Sequence, residues 1–325
     1  MIIQGMTTAS LVPDTAAALN GVAALPHLGV IRATGEQAAT FLQGQLTQDM
    51  ALMAPGQARL AAFCNAKGRM LASFVACRRT PDDFLLVCSR DLLPAMLKRL
   101  SMFVLRAKVK LSDATEAVAV HGLIGSAASS IAVSEDSAPA ESQFDTPFFA
   151  ALPPADGAAR ALWLAPAGTP APAGGLPAGG LVTAALWDFA AVRSGVATLS
   201  APVAEAFVPQ MLNYESAGGV NFKKGCYPGQ EVVARSQFRG VIKRRAYVAH
   251  VEGQAQAGQE VFWSGEPAQP AGLVAQAAPA PGGGSEVIAS LQVAAVADGG
   301  VFTLGAPDGP ALSAPRLPYR LLDDI

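Results

Sequence analysis

After Gly240 this chain breaks into short apolar runs, at 246–251, 260–263, 271–275, 286–293 and 300–304, with Gly and Pro between them. Runs of this length suit strands rather than free-standing helices, and Gly and Pro supply the turns that separate them. The spacing is that of a small all-β domain. Residues 241–325 are therefore expected to form a C-terminal β-barrel or sandwich. The same pattern occurs upstream. Residues 59–64 and 70–77 read as two apolar strands, and Asn65, Ala66, Lys67 and Gly68 between them read as a hairpin turn with Gly where φ is positive. A further strand is expected at 84–88.

Helical spacing appears in three places. Thr34 followed by Gln37 makes a capping-box pattern, and Ala38, Phe41 and Leu42 then recur at helical intervals toward Leu46. Residues 91–104 are amphipathic, with Leu92, Leu93, Met96, Leu97 and Leu100 on one side and Pro94 in the first turn, where it is tolerated. Residues 181–194 place Leu186, Phe189, Ala190 and Arg193 along one face. Strands are expected at 27–34, 108–113 and 117–123. Residues 1–25 read as a loose lead-in. The Pro- and Gly-rich stretch 165–180 reads as a surface loop without a function of its own. A chain of 325 residues is long for one core and implies two or three domains.

The formal charge of −2 argues against a dedicated nucleic-acid binder. Four cysteines, Cys64, Cys77, Cys88 and Cys226, form no CxxC pair and no zinc spacing with histidine, so no metal site and no disulfide is expected. The first three fall in or beside strands, where a free thiol acts as a small apolar group. His27, His121 and His250 are scattered, and no Ser/His/Asp pattern is present. The apolar stretch 179–197 is interrupted by Asp188 and Arg193, and no basic residue precedes Arg32, so neither a membrane span nor a secretory leader is expected. A cytoplasmic location follows as an expectation.

One run carries chemistry: Lys223, Lys224, Gly225, Cys226, Tyr227, Pro228, Gly229, Gln230, Glu231, then Val232, Val233, Ala234 and Arg235. Cations beside a thiol favour the thiolate, which makes Cys226 the candidate functional thiol and Lys224 its candidate partner. Flanking glycines allow a tight turn or a close approach to a ligand. Arg239, Lys243, Arg244 and Arg245 extend the basic cluster, with Glu231 the one acid among them, which suits an anionic ligand. Glu231 and Arg235 stand four apart, the spacing of a helical ion pair.

The run KGCYPGQE resembles the signature of the YgfZ family, folate-binding proteins linked to iron–sulfur cluster maintenance and related to the glycine-cleavage aminomethyltransferase, or T protein. Residues 41–49 (FLQGQLTQD), 64–70 (CNAKGRM) and 207–215 (FVPQMLNYE), together with Pro318 and Tyr319, resemble further family segments in the same order. The resemblance implies an α+β fold, an aminomethyltransferase-like ring of two α+β domains with the C-terminal β-barrel. The core 1–240 then divides into roughly 1–55 with 108–240, and 56–107. It implies a bound tetrahydrofolate or a one-carbon derivative of it. It also implies a role in assembly or repair of iron–sulfur clusters in client enzymes, including tRNA-modifying methylthiotransferases, with those clients or cluster carriers as partners.

Trp187 matches a family tryptophan implicated in folate binding, and Leu28 stands where the family has another. Glu205 and Glu215 are candidates for the pterin's amino and N–H groups, because a carboxylate accepts from both. Tyr227, Gln230, Glu231 and Arg235 are candidates for further ligand contacts. One thiol cannot hold an iron–sulfur cluster alone, so Cys226 is open to three roles: transient iron ligand, redox-sensitive thiol or nucleophile. The aminomethyltransferase relatives carry a catalytic aspartate on the strand after the early hairpin, whereas residues 70–75 contain no carboxylate. That argues against the aminomethyl-transfer reaction. A scaffold that binds no folate is the remaining alternative.

Overall fold

In the computed structural model, which describes residues 19–129, 146–172 and 180–322, the chain forms three antiparallel sheets with few helices. The elements run β1 (Gly21–Ala24), β2 (Leu28–Thr34), α1 (Ala38–Gln43), β3 (Ala58–Cys64), β4 (Met70–Thr80), β5 (Asp83–Ser89), α2 (Leu93–Ser101), β6 (Lys110–Asp113), β7 (Val118–Ile124), β8 (Phe148–Ala155), β9 (Ala158–Pro166), α3 (Ala184–Arg193), α4 (Gln230–Phe238), β10 (Arg244–Val251), β11 (Glu260–Trp263), β12 (Pro270–Pro279), β13 (Ser285–Gln292), α5 (Val293–Asp298) and β14 (Phe302–Leu304).

The first sheet has the order β1-β7-β9-β8, the second β3-β4-β5-β2-β6 and the third β10-β13-β12-β11-β14. The hairpin expected from residues 59–77 forms as β3 and β4. Its turn is held by the Asn65 side-chain oxygen, which accepts from the amides of Lys67 and Arg69, and Gly68 takes φ +71°. β4 is buried over nearly its whole length, as its almost unbroken apolar run requires. Cys64, Cys77 and Cys88 are buried on β3, β4 and β5. The second sheet also draws in 28–34 and 110–113 from outside residues 56–107.

Three expectations need correction. The capping box does not form: Gln37 is the N-cap without a side-chain cap, and its Oε1 accepts instead from the Lys108 amide at 2.7 Å. α1 stops at Gln43 because Leu46 is recruited to a bridge with Phe63 of β3. The expected lead-in contains a strand, β1, its first 18 residues falling outside the described ones; β8 and β9 form where no element was expected, and residues 173–179 of the expected loop fall outside the described ones. β8 accommodates Pro153 and Pro154 because it is the edge of its sheet.

The C-terminal strands form one antiparallel sheet, and a closed barrel does not result. Its edges β10 and β14 share no ladder, β14 being only three residues long. The chain after β14 links them by isolated bridges, Thr303 with Ala311 on one side and Val248 with Arg316 on the other.

α3 sits at the junction. It packs on β12 and β13 of the third sheet and on β1, β7 and β8 of the first. Arg193 at its end donates to Asp156 at 2.5 Å and to Glu286 at 3.1 Å, linking the β8–β9 turn to β13. One apolar cluster runs through the first two sheets and α3, and a second fills the far side of the third sheet.

Candidate functional site

A cavity of about 240 Å³ lies where the three sheets and α3 meet. Strand alternation aims Ser73 and Val75 of β4 and Arg160 and Leu162 of β9 into it. α3 contributes Trp187 and Asp188, and β12 contributes Gln276. The helix begins at Thr183, whose side chain accepts from the Leu186 amide. One turn in, Trp187 is 3% exposed and rests on Gly122 of β7, where a Cβ would come within 2.3 Å of the indole. The Arg160 guanidinium lies over the same indole, 4.5 Å from the ring centroid. Asp188 meets His27 at 3.1 Å. A second cavity of about 390 Å³ shares Leu60, Val75, Leu152 and Pro153 with the first and extends past Arg59 and Gln48.

Several polar groups around the first cavity are satisfied within the fold. Ser73 accepts from the Leu199 amide at 2.9 Å, the Tyr214 hydroxyl donates to the Ala197 carbonyl at 2.7 Å, and Gln276 accepts from the Thr198 amide at 2.8 Å. Arg160 differs. It is buried, one Nη donates to the Pro153 carbonyl at 3.3 Å, and its Nε has no acceptor among the described residues. Burial pulls its pKa down to about 9, against the opposing pull of Asp188. Arg160 escaped the sequence reading because β8 and β9 did. The signal that finds it is Asp156-Gly157, both at positive φ, the two-residue turn of a tight hairpin.

The cysteine motif lies elsewhere. Cys226 is exposed on the loop before α4 and lines neither cavity. Lys224 beside it is 8% exposed, and its ammonium donates to the carbonyls of Gln43 and Leu46 at 2.5 and 2.7 Å, closing the C-terminal end of α1. It also sits 4.7 Å from the centroid of the buried Tyr227 ring. Burial lowers the Lys224 pKa to about 8, while Asp49 and Cys226 favour its charged form. Gly229 opens α4 at φ +79° with its Cα against the 65–68 turn: a Cβ there would lie 2.3 Å from the Asn65 carbonyl oxygen. Gln230, Glu231 and Arg235 follow on α4, and the last two form the expected exposed ion pair at 3.1 Å.

Glu205 is exposed at φ +65°, where it accepts from the Asn65 amide group at 3.0 Å. Glu215 is buried and paired with Arg245 of β10, with one carboxylate oxygen unpartnered. Of the residues expected at a ligand site, Trp187 therefore lines the cavity, together with Leu28, and the others lie outside it. What the motif residues share is a neighbourhood. The 41–49 segment is tied to 218–221 by Thr47 Oγ1 to Gly219 and by the Asn221 amide to Thr47. The 65–70 turn is tied to 205–207 by the Glu205 amide to Met70 and the Met70 amide to Phe207, and it touches Gly229 and Val232. Segments far apart in sequence converge to hold one cysteine loop.

Residues 15–151 match the family described as the GCVT N-terminal domain. The chain is 29% identical over 258 residues to the tRNA-modifying protein YgfZ of Cronobacter sakazakii, covering 70% of this chain and 71% of the relative. The chain is thus similar to YgfZ over most of its length. An uncharacterised protein of Haemophilus influenzae is likewise 29% identical over 234 residues, covering 72% of this chain and 74% of the other. The fold matches the crystal structure of the glycine cleavage system aminomethyltransferase T of Bartonella henselae with a TM-score of 0.64 at 17% identity, over 94% of this chain and 87% of that one. The resemblance to YgfZ and the aminomethyltransferase-like fold expected from the motifs both hold. No helix among the described residues is long and apolar enough to cross a membrane.

Proposed function

We propose that the protein binds a reduced folate, tetrahydrofolate or a one-carbon derivative, in the central cavity, and that it serves tRNA modification through Cys226. The observation that carries the ligand half is the cavity itself. It is enclosed by three sheets on an aminomethyltransferase T fold and is lined by an indole, a carboxylate and a buried guanidinium with an unpartnered Nε. With its neighbour it has the size of small-molecule sites, roughly 300–1,000 Å³. A pterin presents hydrogen-bond donors and an acceptor on one flat edge, which suits Asp188 and Arg160. The folate would supply a one-carbon carrier; the chain's own residues bind and orient it and exclude water.

The tRNA-modification half rests on the YgfZ relationship and on the exposed thiol. Cys226 is reachable by a large partner, and the fold spends four separate segments on holding its loop. We assign Cys226 to the assembly or repair of iron–sulfur clusters in client enzymes such as methylthiotransferases, with clients or cluster carriers docking at the loop. In this reading Lys224 anchors the loop to α1 and keeps a positive charge near the thiol. The α+β core 1–240 is proposed to be followed by the C-terminal sheet domain in the cytoplasmic protein.

Calorimetric titration with tetrahydrofolate and 5-formyltetrahydrofolate tests the ligand half. Saturable binding that weakens in Trp187→Ala, with native circular dichroism retained, is the expected result; absence of binding at millimolar ligand removes the folate reading. Cys226→Ala tests the other half. It should lower client methylthiotransferase activity in cells without lowering the melting temperature, and unchanged client activity would remove the thiol role.

A further inference from the structure

We propose that Arg160 is a specificity-determining residue of the central cavity, donating from its guanidinium to the ring carbonyl oxygen of the bound pterin. The inference rests on the folate reading above. Its basis is the hydrogen-bond ledger of the cavity wall. Ser73, Tyr214 and Gln276 already have partners inside the protein. Arg160 does not: a buried guanidinium carries five donors, yet Nε has none to donate to and one Nη reaches only a long bond to Pro153. An unpartnered buried donor carries a desolvation cost that a ligand acceptor relieves on binding. The group is also held in place, since its flat face lies over Trp187 and Trp187 is itself seated on Gly122. Arg160 is among the residues that line the cavity, and a guanidinium fixed on an indole at such a wall is prepared for a planar acceptor.

The chemistry of the neighbouring group orients the ligand. Asp188 lines the same cavity and interacts electrostatically with Arg160. A donor beside an acceptor complements the pterin edge, where the carbonyl oxygen at C4 adjoins the N3–H and the 2-amino group. Burial, which lowers the Arg160 pKa to about 9, leaves the guanidinium charged at neutral pH and able to donate. Trp187 then acts as the platform for Arg160, which explains how an indole with its face covered still matters for the ligand.

The test varies the ligand and the residue independently. Tetrahydrofolate and its 4-amino analogue, tetrahydroaminopterin, differ in whether C4 bears an acceptor or a donor. Titrated into wild-type protein, the 4-amino analogue should bind about 10- to 100-fold more weakly, the span of a hydrogen bond to a charged group. Arg160→Met should weaken tetrahydrofolate by a similar factor and abolish the discrimination, and Arg160→Lys should retain part of it. Equal affinity of the two ligands for wild-type protein overturns the assignment while leaving the folate site standing. The ligand comparison alone decides the matter should Arg160→Met fail to fold. Absence of binding of either ligand to the wild type removes the folate reading and this inference with it.

Discussion

Gly229→Ala probes the joint on which the cysteine loop depends. The glycine sits at φ +79°, and its Cα lies against the hairpin turn of residues 65–68. An alanine there meets two costs. The left-handed conformation is worth about 1–2 kcal/mol against a residue with a Cβ. The new methyl group would lie 2.3 Å from the Asn65 carbonyl oxygen and 2.7 Å from the Gly68 Cα, both backbone atoms that cannot rotate away. Overpacking of this kind costs about 1–3 kcal/mol. Reduced freedom of the unfolded chain returns up to about 1 kcal/mol. The net expectation is a loss of about 2–4 kcal/mol, read by urea denaturation. Gly225→Ala, in the same motif, is the control: nothing lies within 4 Å of its added Cβ and its φ is ordinary, so it should stay within about 0.5 kcal/mol of wild type. A displaced loop should also change the rate at which Cys226 reacts with a disulfide reagent. A Gly229→Ala protein as stable as wild type, or a Gly225→Ala protein equally damaged, would refute the view that the hairpin and the cysteine motif lock together through that glycine.

Native protein should titrate one thiol with Ellman's reagent and four after denaturation, because burial pushes Cys64 and Cys88 up to about 12 and Cys77 higher still, while Cys226 is exposed; rapid labelling of a second native thiol would contradict that burial. Lys224 gives a pH signature. Its folded pKa of about 8 lies below the ordinary 10.5, so between these values the unfolded chain holds a proton that the folded one has shed, and the group makes stability rise with pH across that window. Its two carbonyl acceptors oppose part of this, and a gain of about 1–2 kcal/mol that disappears in Lys224→Met is expected in urea midpoints from pH 7.5 to 10.5; matching profiles for the two proteins would count against it. Gly122→Ala drives a methyl group into the Trp187 indole and should cost about 1–3 kcal/mol and weaken reduced-folate binding in calorimetry; unchanged affinity in the folded variant would detach Trp187 from the site.

Local pattern carried far in this chain because strands and turns are written locally. The 65–68 turn, β3 to β5 of the second sheet and the five C-terminal strands follow from apolar runs bounded by Gly, Pro, Asn or Asp. Helix limits were less legible. Gln37 had two possible acceptor duties, and the distant Lys108 amide took the one that the capping pattern assigns to its own helix. β8 was obscured by Pro153 and Pro154, which exclude an interior strand but not an edge, and edge or interior is a property of the sheet rather than of the segment.

The division at the site is sharper. The sequence by itself determined that Cys226 is the unusual thiol, that Glu231 and Arg235 share a helix face, and which segments accompany the cysteine motif. Those are matters of composition and spacing. Tertiary structure decided the partners. It turned Lys224 toward the carbonyls of Gln43 and Leu46, about 180 residues away in the chain, and put Arg160 over Trp187 across two sheet neighbours. It also separated the thiol from the cavity. Burial and hydrogen-bond satisfaction depend on which surfaces meet, and a buried cation acquires its role only when the fold leaves one of its donors without an acceptor.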